Sequence, residues 1–191
     1  MEKLKLHPFK TLSSTSVLLA FTLFVLLGGL SSSAFAIPME SSDKRYLDND
    51  DGTITDSKTG LMWMKKDSYL HSGHWLNWHE IHDYVRQLND ERFAQYSDWQ
   101  LPTTEELKSL YESEKTNSSQ LGSEMKIHMD PIFEKNGSGS LWSGDENGRY
   151  NAFGVVFNTS SVFNSNKKSR SRKATRAVRI NTNSHHLEAE N

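Results

Sequence analysis

The chain has 191 residues, no cysteine, 22 basic and 24 acidic residues, and a formal net charge of −2. The lack of cysteine excludes disulfide cross-links and the lipid-modified class of exported proteins, which needs a thiol to acylate. The weakly acidic balance argues against bulk electrostatic binding of nucleic acid.

Lys3, Lys5 and Lys10 precede an apolar run of 14 residues, Val17 to Leu30, and small residues follow up to Ala34-Phe35-Ala36. That is the three-part pattern of a secretory signal, with cleavage expected after Ala36; the run is shorter than the ~20 residues a membrane span needs. Residues 1–36 are therefore read as a signal peptide, 37–44 as a flexible leader, 45–181 as a single domain and 182–191 as a disordered tail. The mature protein is expected to be periplasmic or secreted, with no transmembrane segment. Residues 1–36 hold three basic residues and one acidic, so the rest carries 19 basic against 23 acidic, a net charge of −4. Without disulfides the domain must hold together by packing, and its five tryptophans favour that.

Asp51-Gly52 is a turn signal between Tyr46-Leu47 and Thr53-Ile54-Thr55, which predicts a hairpin. The neighbouring Asp48, Asn49, Asp50 and Asp51 invite a calcium reading, but the alternate positions before the glycine select Leu47, Asn49 and Asp51, so the first carboxylate is missing and a solvated hairpin tip is expected. Leu61-Met62-Trp63-Met64 reads as a strand buried on both faces. Asn77 caps a helix running to about Leu88, with Trp78, Ile81, Val85 and Leu88 on one face and Tyr84 beside them. In Asp98-Trp99-Gln100-Leu101-Pro102-Thr103-Thr104-Glu105-Glu106-Leu107, the spacing of Thr103 and Glu106 predicts a capping box, and Pro102 biases Leu101 toward an extended approach. Residues 113–124 read as a long polar loop. Asp130-Pro131-Ile132-Phe133 returns the chain to the core, and Asn136-Gly137-Ser138-Gly139 releases it. Three strands follow, at Leu141 to Ser143, Ala152 to Phe157 and Ala174 to Ile180, with a hairpin turn at Asp145-Glu146-Asn147-Gly148. There is no internal repeat and no heptad pattern.

Catalytic and metal motifs are incomplete. His79-Glu80-Ile81-His82 has its histidines three apart, where a zinc-protease helix needs four, and Asp83 fills the required position. Ser138 lacks the strand and helix of a nucleophile elbow. Glu105 and Glu106 are explained by capping and by the field at a helix start. No cofactor, metal or catalytic residue is expected, and the protein is read as a non-enzyme. The strongest functional feature is basic: Lys167, Lys168, Arg170, Arg172, Lys173, Arg176 and Arg179 place seven cations in thirteen residues. Such a run reads as an exposed loop that attracts polyanions.

Thr59-Gly60-Leu61-Met62-Trp63, the Trp78 helix, Asp98 to Thr103, Leu141-Trp142-Ser143, the Phe153 to Phe157 strand and Arg176-Ala177-Val178-Arg179 together resemble a bacterial family. It is typified by the C-terminal domain of the Legionella collagen-like adhesin, and the likeness covers about Tyr46 to Ile180. The resemblance implies an α+β, C-type-lectin-like fold, here two short helices on small antiparallel sheets with long loops. In the adhesin itself it implies a trimer that captures sulfated glycosaminoglycans. Gln100 stands where the family usually has arginine. Val85 and Ala177 stand where many members have cysteines, which implies that these positions face each other. There is no collagen stalk, so the trimer does not carry over directly. The expected ligand is an anionic polysaccharide or glycosaminoglycan, bound by Lys167, Lys168, Arg170, Arg172, Lys173 and Arg176. The alternative is an envelope protein-interaction module working through loops 113–124 and 144–150.

Overall fold

The chain's computed structural model describes residues 39–182, all within one compact unit, Pro38–Asn191. The expected signal peptide and nearly all of the expected tail lie outside the described residues.

The predicted hairpin forms as β1 (Tyr46–Asp48) and β2 (Thr53–Asp56), paired antiparallel with Leu47 opposite Thr55. At its tip the Asp48 and Asp51 carboxylates accept the amides of Asp50 and Thr53, and Gly52 supplies a φ of 89°. These acids shape the turn, as Asx turns do. β3 (Leu61–Met64) joins β2, and β9 (Val178–Ile180) arrives from the far end of the described chain to complete the order β1-β2-β3-β9. Burial of Met62, Trp63 and Met64 matches a strand covered on both sides.

Three α-helices are present among the described residues, one more than expected. α1 (Ser68–Ser72) is capped by Asp67 and closed by Gly73 in the left-handed region. α2 (Trp78–Asp90) has the reciprocal cap of Asn77 and Glu80 and buries Trp78, Ile81, Tyr84, Val85 and Leu88. α3 (Thr104–Ser109) has the reciprocal cap of Thr103 and Glu106. A two-stranded ribbon, β4 (Ser118–Ser119) with β5 (Lys126–Ile127), orders part of the stretch expected as loop. The third sheet is β6 (Ser140–Asn147), β7 (Asn151–Val156) and β8 (Ser161–Asn166), in that order.

Some expectations are corrected. Asp145, Glu146 and Asn147 belong to β6, and the turn is moved to 148–150. The last strand shrinks to Val178–Ile180, since Ala174 makes only an isolated bridge to Leu141. The expected leader is tied down from Met39 onward: Glu40 bridges Leu47, Asp48 donates its amide to the Met39 carbonyl, and Ser41 is buried.

Packing explains why the Asp98 to Leu107 stretch organises the domain. Trp99 lies in an apolar cluster with Met62, Met64, Tyr84, Val85, Leu88 and Ala177. Leu107 lies in a second cluster around Trp63, Phe133 and Phe157. Leu101 packs against the first and also against the third, which holds Trp78, Ile81, Trp142 and Ala152. The Asn89 side chain fixes the segment by accepting the Trp99 amide and donating to the Trp99 carbonyl. Val85 and Ala177 share one cluster, as their joint substitution implied.

Candidate functional site

The basic run divides into cations that build the fold and cations that face water. Lys167, at the end of β8, is only 5% exposed; its ammonium lies 2.7 Å from Glu146 and 4.5 Å from the centre of the Trp78 ring. Lys167 holds the Glu146 carboxyl below its usual range. Arg176 is 3% exposed and donates to the carbonyls of Met64 and Lys65 while lying over the Phe133 ring. Burial pushes its guanidinium down and the Asp67 carboxyl up, and the charge of each partly restores the other. Arg179, 5% exposed, reaches the Asp98 carboxylate with Nε at 2.7 Å.

Lys167 and Arg176 are therefore removed from the expected ligand-binding surface. Their counter-charges and carbonyls come from distant segments, which local composition does not reveal.

Lys168, Arg170, Arg172 and Lys173 remain. Lys168 is exposed and its ammonium has no partner among the described residues. Arg170 is exposed and grips both oxygens of Glu80, Nε to Oε2 at 2.9 Å. That contact holds the Glu80 carboxyl below its usual range. Arg172 donates to the Gly122 carbonyl at 3.0 Å. Lys173 is half-buried over the rings of Trp142 and Phe163, at 5.3 and 5.6 Å, with Ser169 Oγ as its hydrogen-bond partner. Burial without a carboxylate lowers its pKa.

Next to these cations, the loop between α1 and α2 makes a concavity of about 480 Å³ lined by His74, Trp75, Leu76, Glu80 and Arg170. The left-handed turn at Gly73 sends the chain outward, and Leu76 is pinned by its amide to Lys173 and by its carbonyl to the Trp142 indole. Tyr69 stacks on Trp75 at 3.8 Å between ring centres, with 14° between planes. One face of Trp75 is thus backed, and the residue lines the concavity beside Arg170. Sequence reasoning missed His74, Trp75 and Glu80 as site residues; the available signal was a tryptophan inside a polar Ser-Gly-His stretch.

Ser138, Asp43, Glu112 and Asp130 have polar partners, whereas the buried Nε2 of His82 has none among the described residues. Ser138 Oγ shares its one proton between the carbonyls of Ser140 and Arg172, at 2.8 and 2.9 Å. His82 is edge-on to Trp78. Oxygens of Asp43, Glu112 and Asp130 converge, but the Lys115 ammonium already sits 2.6 to 2.7 Å from each of the three.

These features define an α+β domain of small antiparallel sheets around tryptophan-centred clusters, with an aromatic and cationic concavity on its surface. The chain belongs to the Lcl C-terminal domain family, whose model matches residues 52–179. This is the adhesin-associated family that the Thr59 to Trp63 and Trp99 to Thr103 signatures resemble. A comparison with curated proteins gives no match. No helix among the described residues is long and apolar enough to cross a membrane.

Proposed function

We propose that this is an exported, non-catalytic binding domain that recognises an acidic polysaccharide at the Trp75–Arg170 concavity. The observation that carries the reading is one aromatic face, backed by Tyr69, placed beside an arginine fork in a single depression. A sugar ring stacks on the indole while a planar carboxylate or a sulfate meets the guanidinium. Lys168, Arg172 and Lys173 steer the anion inward, an effect that weakens with salt. Lys167 and Arg176 contribute only by holding the scaffold. Export and a C-type-lectin-like architecture are part of this proposal and fit the role.

The test is retention on a heparin-like resin across a salt gradient. Wild type elutes late, Trp75→Ala earlier, and Lys168→Gln with Arg172→Gln earlier still with a shallower salt dependence. Unchanged elution of both variants overturns the reading.

A second reading is an envelope protein-interaction module, favoured by Leu121 (46% exposed) and Tyr150 (66% exposed) in the two variable loops. It expects a protein partner whose capture depends on Leu121 and Tyr150 and is indifferent to the basic loop.

A further inference from the structure

A different concavity, of about 590 Å³, opens where the β1–β2 hairpin meets the end of α3. Lys44, Ser57, Lys58, Lys108, Ser109 and Tyr111 line it together with Asp43, Arg45 and Glu112. The last three already have charged partners. Arg45 grips Asp56 through Nε at 3.0 Å and Nη2 at 2.7 Å, and donates to the Ser109 carbonyl. Asp43 and Glu112 share the Lys115 ammonium. Ser57 and Ser109 spend their hydroxyl protons on the carbonyls of Arg45 and Glu106.

The remaining donors are not saturated. The ammonium groups of Lys44 and Lys58 and the Tyr111 hydroxyl have no hydrogen-bond or ion-pair partner among the described residues. Lys108 has only an exposed bridge to Glu105, three residues earlier on the same helix. Such bridges yield readily to a better partner.

We propose that this concavity binds a phosphate monoester. Three ammonium groups act as movable point charges, which suits a tetrahedral dianion better than a planar carboxylate. A phosphate monoester carries about −1.5 to −2 near neutral pH and offers three acceptor oxygens, so it matches Lys44, Lys58 and Lys108, with the Tyr111 hydroxyl as a further donor. The concavity has no stacked aromatic platform, so it reads the charged group and leaves the rest of the ligand in solvent. The site is independent of the Trp75–Arg170 concavity and of the function proposed there.

The experiment is an NMR titration of the full chain at constant ionic strength. Glucose 6-phosphate is the soluble probe, glucose 6-sulfate the singly charged control, and vesicles containing phosphatidic acid the membrane-borne source. The expected result is saturable shifts of the Ser57, Lys58 and Ser109 amides with the phosphate, at an affinity about tenfold above that for the sulfate. Combined Lys44→Gln, Lys58→Gln and Lys108→Gln abolishes the shifts, whereas Lys168→Gln with Arg170→Gln leaves them. Co-sedimentation with the vesicles that depends on the same three lysines identifies a lipid source; a soluble response alone identifies a free phosphate ester. No saturable shift with phosphate, equal response to the sulfate, or shifts that persist in the triple variant would overturn the proposal.

Discussion

Glu80 is the residue on which cap and site meet. Its carboxylate accepts the Asn77 amide at the start of α2 and is gripped by Arg170 at the rim of the concavity. An acidic ligand must compete with it for the guanidinium. Glu80→Gln preserves an acceptor for the Asn77 amide and removes the competing charge. The expected outcome is tighter binding of a uronate-containing polysaccharide, by up to about fivefold, with unchanged helix content. Titration calorimetry beside circular dichroism reads both.

Arg176 shows the opposite use of a cation. Arg176→Met removes the positive charge that partly offsets the burial of Asp67 and leaves the Met64 and Lys65 carbonyls without their donor, and the expected loss is about 1–3 kcal/mol in urea unfolding. Pairing it with Asp67→Asn should recover part of that loss, because neither residue is then an isolated buried charge. The sequence shows seven cations close together but not which of them are buried. Lys167 finds Glu146, Arg179 finds Asp98 and Arg176 finds the carbonyls of Met64 and Lys65 only once three separate segments have docked.

At the scale of elements, the helix starts were legible because their signals are local. Thr103 and Glu106 make the expected reciprocal cap, so Thr103→Ala should cost about 1 kcal/mol, measurable by thermal or chemical unfolding. β8 was not legible: Ser161-Val162-Phe163-Asn164-Ser165-Asn166 is mostly polar, and it becomes a strand because β7 offers it a complete pairing edge. α1 is five residues long and depends on Asp67 and Gly73 for its ends. The close fit of the third sheet rests on Gly154, where a Cβ would overlap the Leu141 carbonyl oxygen and the Phe163 ring. Gly154→Ala should destabilise by about 1–3 kcal/mol, the cost of overpacking, although alanine is the smallest side chain that could be added. The concavity was the least legible feature, since Trp75 reaches it by a turn, Glu80 from a helix and Arg170 from a loop at the other end of the chain.

For the whole molecule, pH acts on stability through groups whose titration differs between folded and unfolded chain. His71 lies against Tyr84 and Phe93, and His82 against Trp78. Loss of water against these rings holds both imidazoles below the ordinary value of 6.5, with the half-buried His82 carrying more of the effect than the exposed His71. The unfolded chain therefore takes up these protons first, so the histidines' contribution is complete above about pH 6.5 and declines as pH falls below it. Asp43, Glu80, Asp98 and Glu146 are lowered by Lys115, Arg170, Arg179 and Lys167 respectively. Their contribution is present above the ordinary carboxylate values of 3.8 to 4.5 and is lost as pH falls through the folded values. Asp67 has the opposite sign: burial raises it, so its contribution is complete below the unfolded value and is lost as pH rises through the folded one. That offsets part of the acid loss without matching four carboxylates. The melting temperature should accordingly fall in two stages on acidification, first below about pH 6.5 and again below about pH 4. His71→Gln with His82→Gln should flatten the first stage and leave the second. A first stage that survives in the double variant would assign the loss to groups other than these two imidazoles.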